Sequence, residues 1–172
     1  MMNKTTRRLM VVTAAAFGAL VISQSSAEAQ TAIDNFDVTA TVVANCNIST
    51  PNDLAFGPYD PAVVNATTDL DQQTDIDVRC TKNSPGVWIG LDEGANAVAG
   101  QRAMTDGSEL LEYDLYQDGG RTVVWGNLIG DGQGYTPVTS SWTSLTVYGR
   151  VPQAQDVGVG AYVDNVVATI NF

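Results

Sequence analysis

The chain predicts an all-β domain, a sandwich or barrel of short strands, on three observations. Apolar residues recur at every second position in several separate windows, turn-forming Gly, Asp and Pro residues punctuate them, and no window beyond the N-terminal segment sustains a helical period. The two ends show the period most plainly. Phe36, Val38, Ala40 and Val42 alternate with Asp37, Thr39 and Thr41, while Val166, Ala168, Ile170 and Phe172 alternate with Val167, Thr169 and Asn171.

Residues 1–29 have the make-up of a secretory signal. Lys4, Arg7 and Arg8 precede an apolar run from Leu9 to Ile22, and Ala27-Glu28-Ala29 offers the small residues a signal peptidase reads. That run falls short of the roughly 20 residues a spanning helix needs, and nothing later is apolar enough to cross a bilayer, so no membrane span is expected in the mature chain. Cleavage before Gln30 leaves residues 30–172, the size of one domain. Losing Lys4, Arg7, Arg8 and Glu28 moves the formal charge from −11 to −13. So acidic a surface repels phosphate backbones and argues against a nucleic-acid partner.

Cys46 and Cys80 remain, and an even pair in an exported protein most simply forms one structural disulfide. A separation of 34 corresponds to roughly 3.5 to 4 kcal/mol of stabilisation by loop entropy. A catalytic thiol has little support, because the chain has no histidine and no Cys-x-x-Cys pair.

The strands follow in order. Asp75 to Cys80 alternates strictly, placing Ile76, Val78 and Cys80 on one face and Asp75, Asp77 and Arg79 toward water. Val87, Ile89 and Leu91 give another strand, ended by the turn Asp92-Glu93-Gly94. Leu111, Tyr113 and Leu115 form a third, and Asp118-Gly119-Gly120 signals a hairpin before Thr122 to Trp125. Gly130 to Gly134 is too glycine-rich for a ladder and reads as a surface loop, lacking the Gly-Lys-Ser/Thr of a phosphate cradle. Leu145, Val147 and Val151 mark a further strand, and the closing one spans about Tyr162 to Phe172.

Catalytic constellations are scarce. Without histidine there is no Ser-His-Asp or Cys-His arrangement, and no Gly-x-Ser-x-Gly elbow is present. A carboxylate pair among Asp92, Glu93, Glu109 and Glu112 is the remaining enzymatic option, and Asp69/Asp71 lacks the rest of a calcium loop. Neither a cofactor nor a metal is implied, and the expectation is a protein that is not an enzyme. A sugar-binding surface on Trp88, Trp125 or Trp142 stays open, against the commoner placement of tryptophan in a core.

A family resemblance emerges from motifs in order along the mature chain: Cys46-Asn47-Ile48, Phe56-Gly57-Pro58-Tyr59, Val78-Arg79-Cys80, Arg102-x-Met104, Leu111-x-Tyr113-x-Leu115-Tyr116, Trp125-Gly126, Tyr148-Gly149-Arg150 and Gly160-x-Tyr162-x-Asp164-x-Val166, closed by Phe172. Together they resemble the spore coat protein U family, which includes major pilins of archaic, Csu-type chaperone-usher pili.

That resemblance implies an incomplete immunoglobulin-like sandwich whose groove is filled by a donor strand, from a periplasmic chaperone before assembly and from a neighbouring pilin subunit in the fibre, a form of β-augmentation. An outer-membrane usher is the third implied partner. Carried onto this chain, the donor is residues 30–43, with Phe36, Val38, Ala40 and Val42 inserting, and Val166, Ala168, Ile170 and Phe172 belong to the strand beside the groove that a chaperone holds. Only Gln30 to Asn45 precede Cys46, so donor and first strand share a short segment, which still spans roughly 50 Å when extended. The function expected is a structural pilin subunit of an extracellular pilus, exported through the periplasm and serving attachment and biofilm growth. A secreted coat-like structural protein and a monomeric carbohydrate-binding module are the alternatives.

Overall fold

The longest strand of the computed structural model is Leu70–Cys80, here β2, and the first sheet is built on it. The structure describes residues 28–50 and 52–172, so nearly all of the signal segment expected at 1–29 lies outside the described residues. The chain divides into units 1–39 and 40–172. Of the first, residues 28–39 form no strand. All the regular structure described below belongs to the second, and it is all β.

In the first sheet β1 (Cys46–Ser49), β2, β8 (Thr143–Val151) and β6 (Asp114–Tyr116) run in the order β1-β2-β8-β6, every pair antiparallel. A second sheet has the order β7-β3-β9, from Gln133–Gly134, Trp88–Leu91 and Ala168–Asn171. A separate hairpin joins β4 (Ala103–Thr105) to β5 (Leu110–Glu112). Ile76, Val78, Val147 and Val151 from the first sheet meet Ile89 and Leu91 from the second, with Trp125, Leu111, Tyr113 and Leu115 completing the core. Trp125 is wholly enclosed, and its indole N–H donates to the Ile89 carbonyl at 2.8 Å, so even the polar end of this side chain is satisfied.

Several sequence expectations need correction. Phe36 to Val42 alternates but is not a strand, because a strand requires a partner for its backbone N–H and C=O groups and none of the described residues supplies one. Leu111, Tyr113 and Leu115 all face inward as expected, yet the run splits at Tyr113: β5 pairs with β4, and β6 crosses to β8. Gln133 and Gly134, placed in a loop, pair with Ile89 and Trp88. Glycine is what permits it nearby, since a Cβ on Gly132 would stand 2.5 Å from the Trp88 ring and 2.8 Å from the Ile89 carbonyl oxygen. The closing strand is shorter than expected, Ala168–Asn171 alone. Tyr162 to Val167 keep the in-out alternation, but of this stretch only Val163 makes a β-bridge, to Thr105.

Candidate functional site: an open apolar trough

β1 and β9 each end a sheet and lie next to one another. Beside them the sandwich is open. Two adjoining cavities of about 550 and 420 Å³ share Leu54, Phe56, Met104 and Tyr162, and so form one trough between residues 52–59 and residues 157–168. Ile76, Leu91, Leu111, Leu115, Val147 and Val151 contribute to its floor, which is the core itself reached from one side.

Each wall is held by specific chemistry. On the first, Gly149 lets the chain at Leu54 and Phe56 lie directly across β8, because a Cβ there would come within 2.5 Å of Leu54 Cδ2 and 2.8 Å of Phe56 Cζ. Phe56 then meets Tyr113 edge to face, with ring centroids 6.1 Å apart. Tyr59 anchors the far end, its hydroxyl donating to the Pro152 carbonyl and accepting from the Gln155 N–H, each at 3.0 Å.

The second wall, 157–167, lacks a ladder for most of its length and is fastened by carboxylates. Glu109 accepts from the Gly158 N–H and from the Tyr162 hydroxyl. Asp164 accepts from Ala95 N–H, Asn96 N–H and Asn96 Nδ2 on one oxygen and from the Tyr113 hydroxyl at 2.6 Å on the other. Burial and this carboxylate together push the Tyr113 phenol far above its usual range, so it stays a protonated donor. Gly94, at φ +84°, is needed where the turn passes Asp164, since a Cβ would lie 2.0 Å from its Oδ2. Asp92 completes the fastening by accepting from the Val167 N–H at 2.9 Å.

Behind the trough sits Arg102, a buried guanidinium that donates to the carbonyls of Leu91, Asp92 and Trp125 at 2.7 to 2.9 Å. Desolvation lowers its pKa, partly opposed by Tyr113 and nearby carboxylates. Sequence reasoning noted Arg102 only as part of a motif. Nothing local in the sequence distinguishes an arginine that ties three backbone carbonyls together from one on the surface.

The predicted residues fall as follows. Cys46 and Cys80 are disulfide-bonded, and being directly opposite in the β1/β2 register they fix Ile48 against Val78. Phe36, Val38 and Val42 are 86, 85 and 82% exposed, and Ala40 is exposed too. Val43 already engages the domain: its carbonyl accepts from Thr81 Oγ1 at 3.0 Å, and the Asn45 carbonyl accepts from the Thr81 N–H at 2.8 Å. Val166, Ala168 and Ile170 pack against the core, the first two lining the trough, whereas Phe172 lies past the last paired residue and is 58% exposed.

Of the carboxylates weighed for catalysis, Asp92 and Glu109 serve these fastening roles, and Asp69 and Asp71 pair with Arg150. No cluster suited to a metal ion occurs among the described residues. Of the tryptophans weighed for sugar stacking, Trp125 is core and Trp142 carries the Arg79 guanidinium 4.5 Å from its ring centroid.

Over residues 32–169 the chain matches the Spore Coat Protein U domain family, and it belongs to that family. It is 38% identical over 184 aligned positions to Protein U of Myxococcus xanthus, covering 99% of this chain and 100% of that protein. Among solved structures it resembles a chain of the chaperone–tip adhesion subunit pre-assembly complex of the archaic chaperone-usher Csu pili of Acinetobacter baumannii, at 24% identity and a TM-score of 0.52. That match covers 77% of this chain and only 40% of the other. A chaperone-usher pilus described for its rod uncoiling matches at 15% identity and TM-score 0.52, over 82% of this chain and 96% of that one. The fold is therefore the immunoglobulin-like fold of chaperone-usher pilus subunits.

Proposed function

We propose that this chain is a structural pilin subunit that polymerises by donor-strand exchange into an archaic-type chaperone-usher pilus, exported through the periplasm to the cell surface for attachment and biofilm growth. The observation that carries this is the trough: an apolar core left open beside two sheet edges, in a chain whose N-terminal segment carries exposed apolar residues at strand spacing. An added strand would pair the free backbone groups of an edge and bury Phe36, Val38, Ala40 and Val42 at alternate positions. A periplasmic chaperone would hold the same trough closed before an outer-membrane usher passes the subunit on. Val166 and Ala168 would form its C-terminal side, with Ile170 and Phe172 continuing the same edge.

The bonds from Thr81 to Val43 and Asn45 support ending the mobile donor before Val43 rather than at it. The test is size exclusion and unheated denaturing gel electrophoresis of the mature protein beside a version lacking residues 30–41. A ladder of oligomers that vanishes with the deletion is expected. A stable monomer in both overturns the proposal. The higher identity to Protein U than to either pilus structure favours a second reading, a coat-like structural protein with the same fold. Oligomers that form in cells lacking any chaperone and usher would select it.

A further inference from the structure

Beyond the signal segment the basic residues are Arg79, Lys82, Arg102, Arg121 and Arg150. Arg102 is buried on carbonyls, and Arg121 and Arg150 are paired with Asp71 and Asp69. Among the described residues Arg79 and Lys82 are the exposed basic side chains that make no ion pair, and both lie at one end of the domain. Arg79 stacks on Trp142, which is 47% exposed, and the loop carrying exposed Val138 is tied beside Lys82 through Ser140 Oγ and the Pro137 carbonyl. Asp77, the acidic group nearest on the same face of β2, is engaged by the Ser144 hydroxyl.

The opposite end of β2, 11 residues and about 35 Å away, has the reverse character. There the segment 152–158 is flanked by Glu112, whose N–H donates to Gln155, and by Glu109 at Gly158, with Asp156 exposed within it, while Asp69, which accepts from the Gln153 N–H, is already paired with Arg150.

We infer that the Arg79–Lys82–Trp142 pole is a docking surface for the acidic pole of a second copy of this chain, aligning subunits head to tail. The contact is heterologous, so it propagates along a filament unless its rotation closes a ring. Like poles would repel, which fixes the direction. It rests on the strand-exchange reading for what brings the copies together: the chain leaves the domain at Val43–Asn45, bonded to Thr81 beside Lys82, so a neighbour holding the N-terminal segment lies next to this pole.

The test uses the mature full-length chain. R79E/K82E should yield roughly tenfold fewer long oligomers at low salt, E112K/D156K should fail likewise, and mixing the two should restore assembly, since each then meets an opposite charge. Wild-type assembly should shift Trp142 emission to the blue, read against a W142F control. Should R79E/K82E melt early, E112K/D156K and the tryptophan signal carry the test. Oligomers of normal length and unchanged Trp142 emission overturn the inference while leaving strand exchange intact; a wild-type chain that never polymerises overturns strand exchange itself. Normal oligomers from a variant that loses binding to anionic phospholipid vesicles would give this pole to a membrane surface, and equally overturn it.

Discussion

Phe36 to Val42 and Val166 to Phe172 share a period of two, yet the first is exposed throughout whereas Val166, Ala168 and Ile170 of the second pack against the core. Nothing in side-chain pattern separates them. The C-terminal segment has β3 to pair with and three carboxylates, Glu109, Asp164 and Asp92, fastening the stretch that leads into it; the N-terminal segment has neither. Alternation says which face a segment can bury, and the availability of an edge decides whether it does.

The largest expected effect comes from giving the exposed segment a charge it could not bury. Val38→Asp should abolish oligomers, because a carboxylate would enter an apolar trough without a partner, while the melting temperature of the monomer stays unchanged. Normal oligomer yield would mean that Val38 does not insert. Next is the disulfide, which ties β1 to β2: the paired Cys46→Ser, Cys80→Ser variant should lose roughly 3.5 to 4 kcal/mol in denaturant unfolding. A smaller change should follow Tyr113→Phe, which removes the hydroxyl from Asp164. A loss of about 1 to 3 kcal/mol is expected there, with faster amide exchange in 157–167 than in β9.

The smallest effect is one of pH, and it probes a region away from both segments. Arg150, hydrogen-bonded to Asp71, and then Arg121 hold that carboxyl below its usual range against the opposing cost of burial. Its stabilisation is thus complete above about pH 4 and fades as pH falls further, through its native value. Solvent screening keeps it to a few tenths of a kcal/mol, and Asp71→Asn should flatten the acid limb of the stability curve by that amount.

Much of the domain was legible because its inward residues obey the simplest rule. Ile76, Val78 and Cys80 are buried while Asp75 and Arg79 are exposed, as their order demands. The cysteine pairing followed from number and compartment. What escaped depends on long-range partners. Gln133–Gly134 pairs with β3 only because Gly132 lets the backbone pass against Trp88, and the break at Tyr113 reflects two sheets claiming one run. The trough was expected only through resemblance. Its walls are set by Gly149 beneath Phe56 and by Asp164 reaching the 94–96 turn, contacts far apart along the chain.

In the fibre proposed above, pulled along its axis, the Cys46–Cys80 bond would have a mechanical role. Tension arriving through a neighbour-held N-terminal segment would enter the domain at Val43–Asn45, where the Thr81 hydrogen bonds would meet it first, and would reach Cys46 immediately afterwards. From there the force would pass through a covalent link into β2, which is paired along nine of its residues with β8. The short strand β1, bonded to β2 at its first residue, would thereby be relieved of the load.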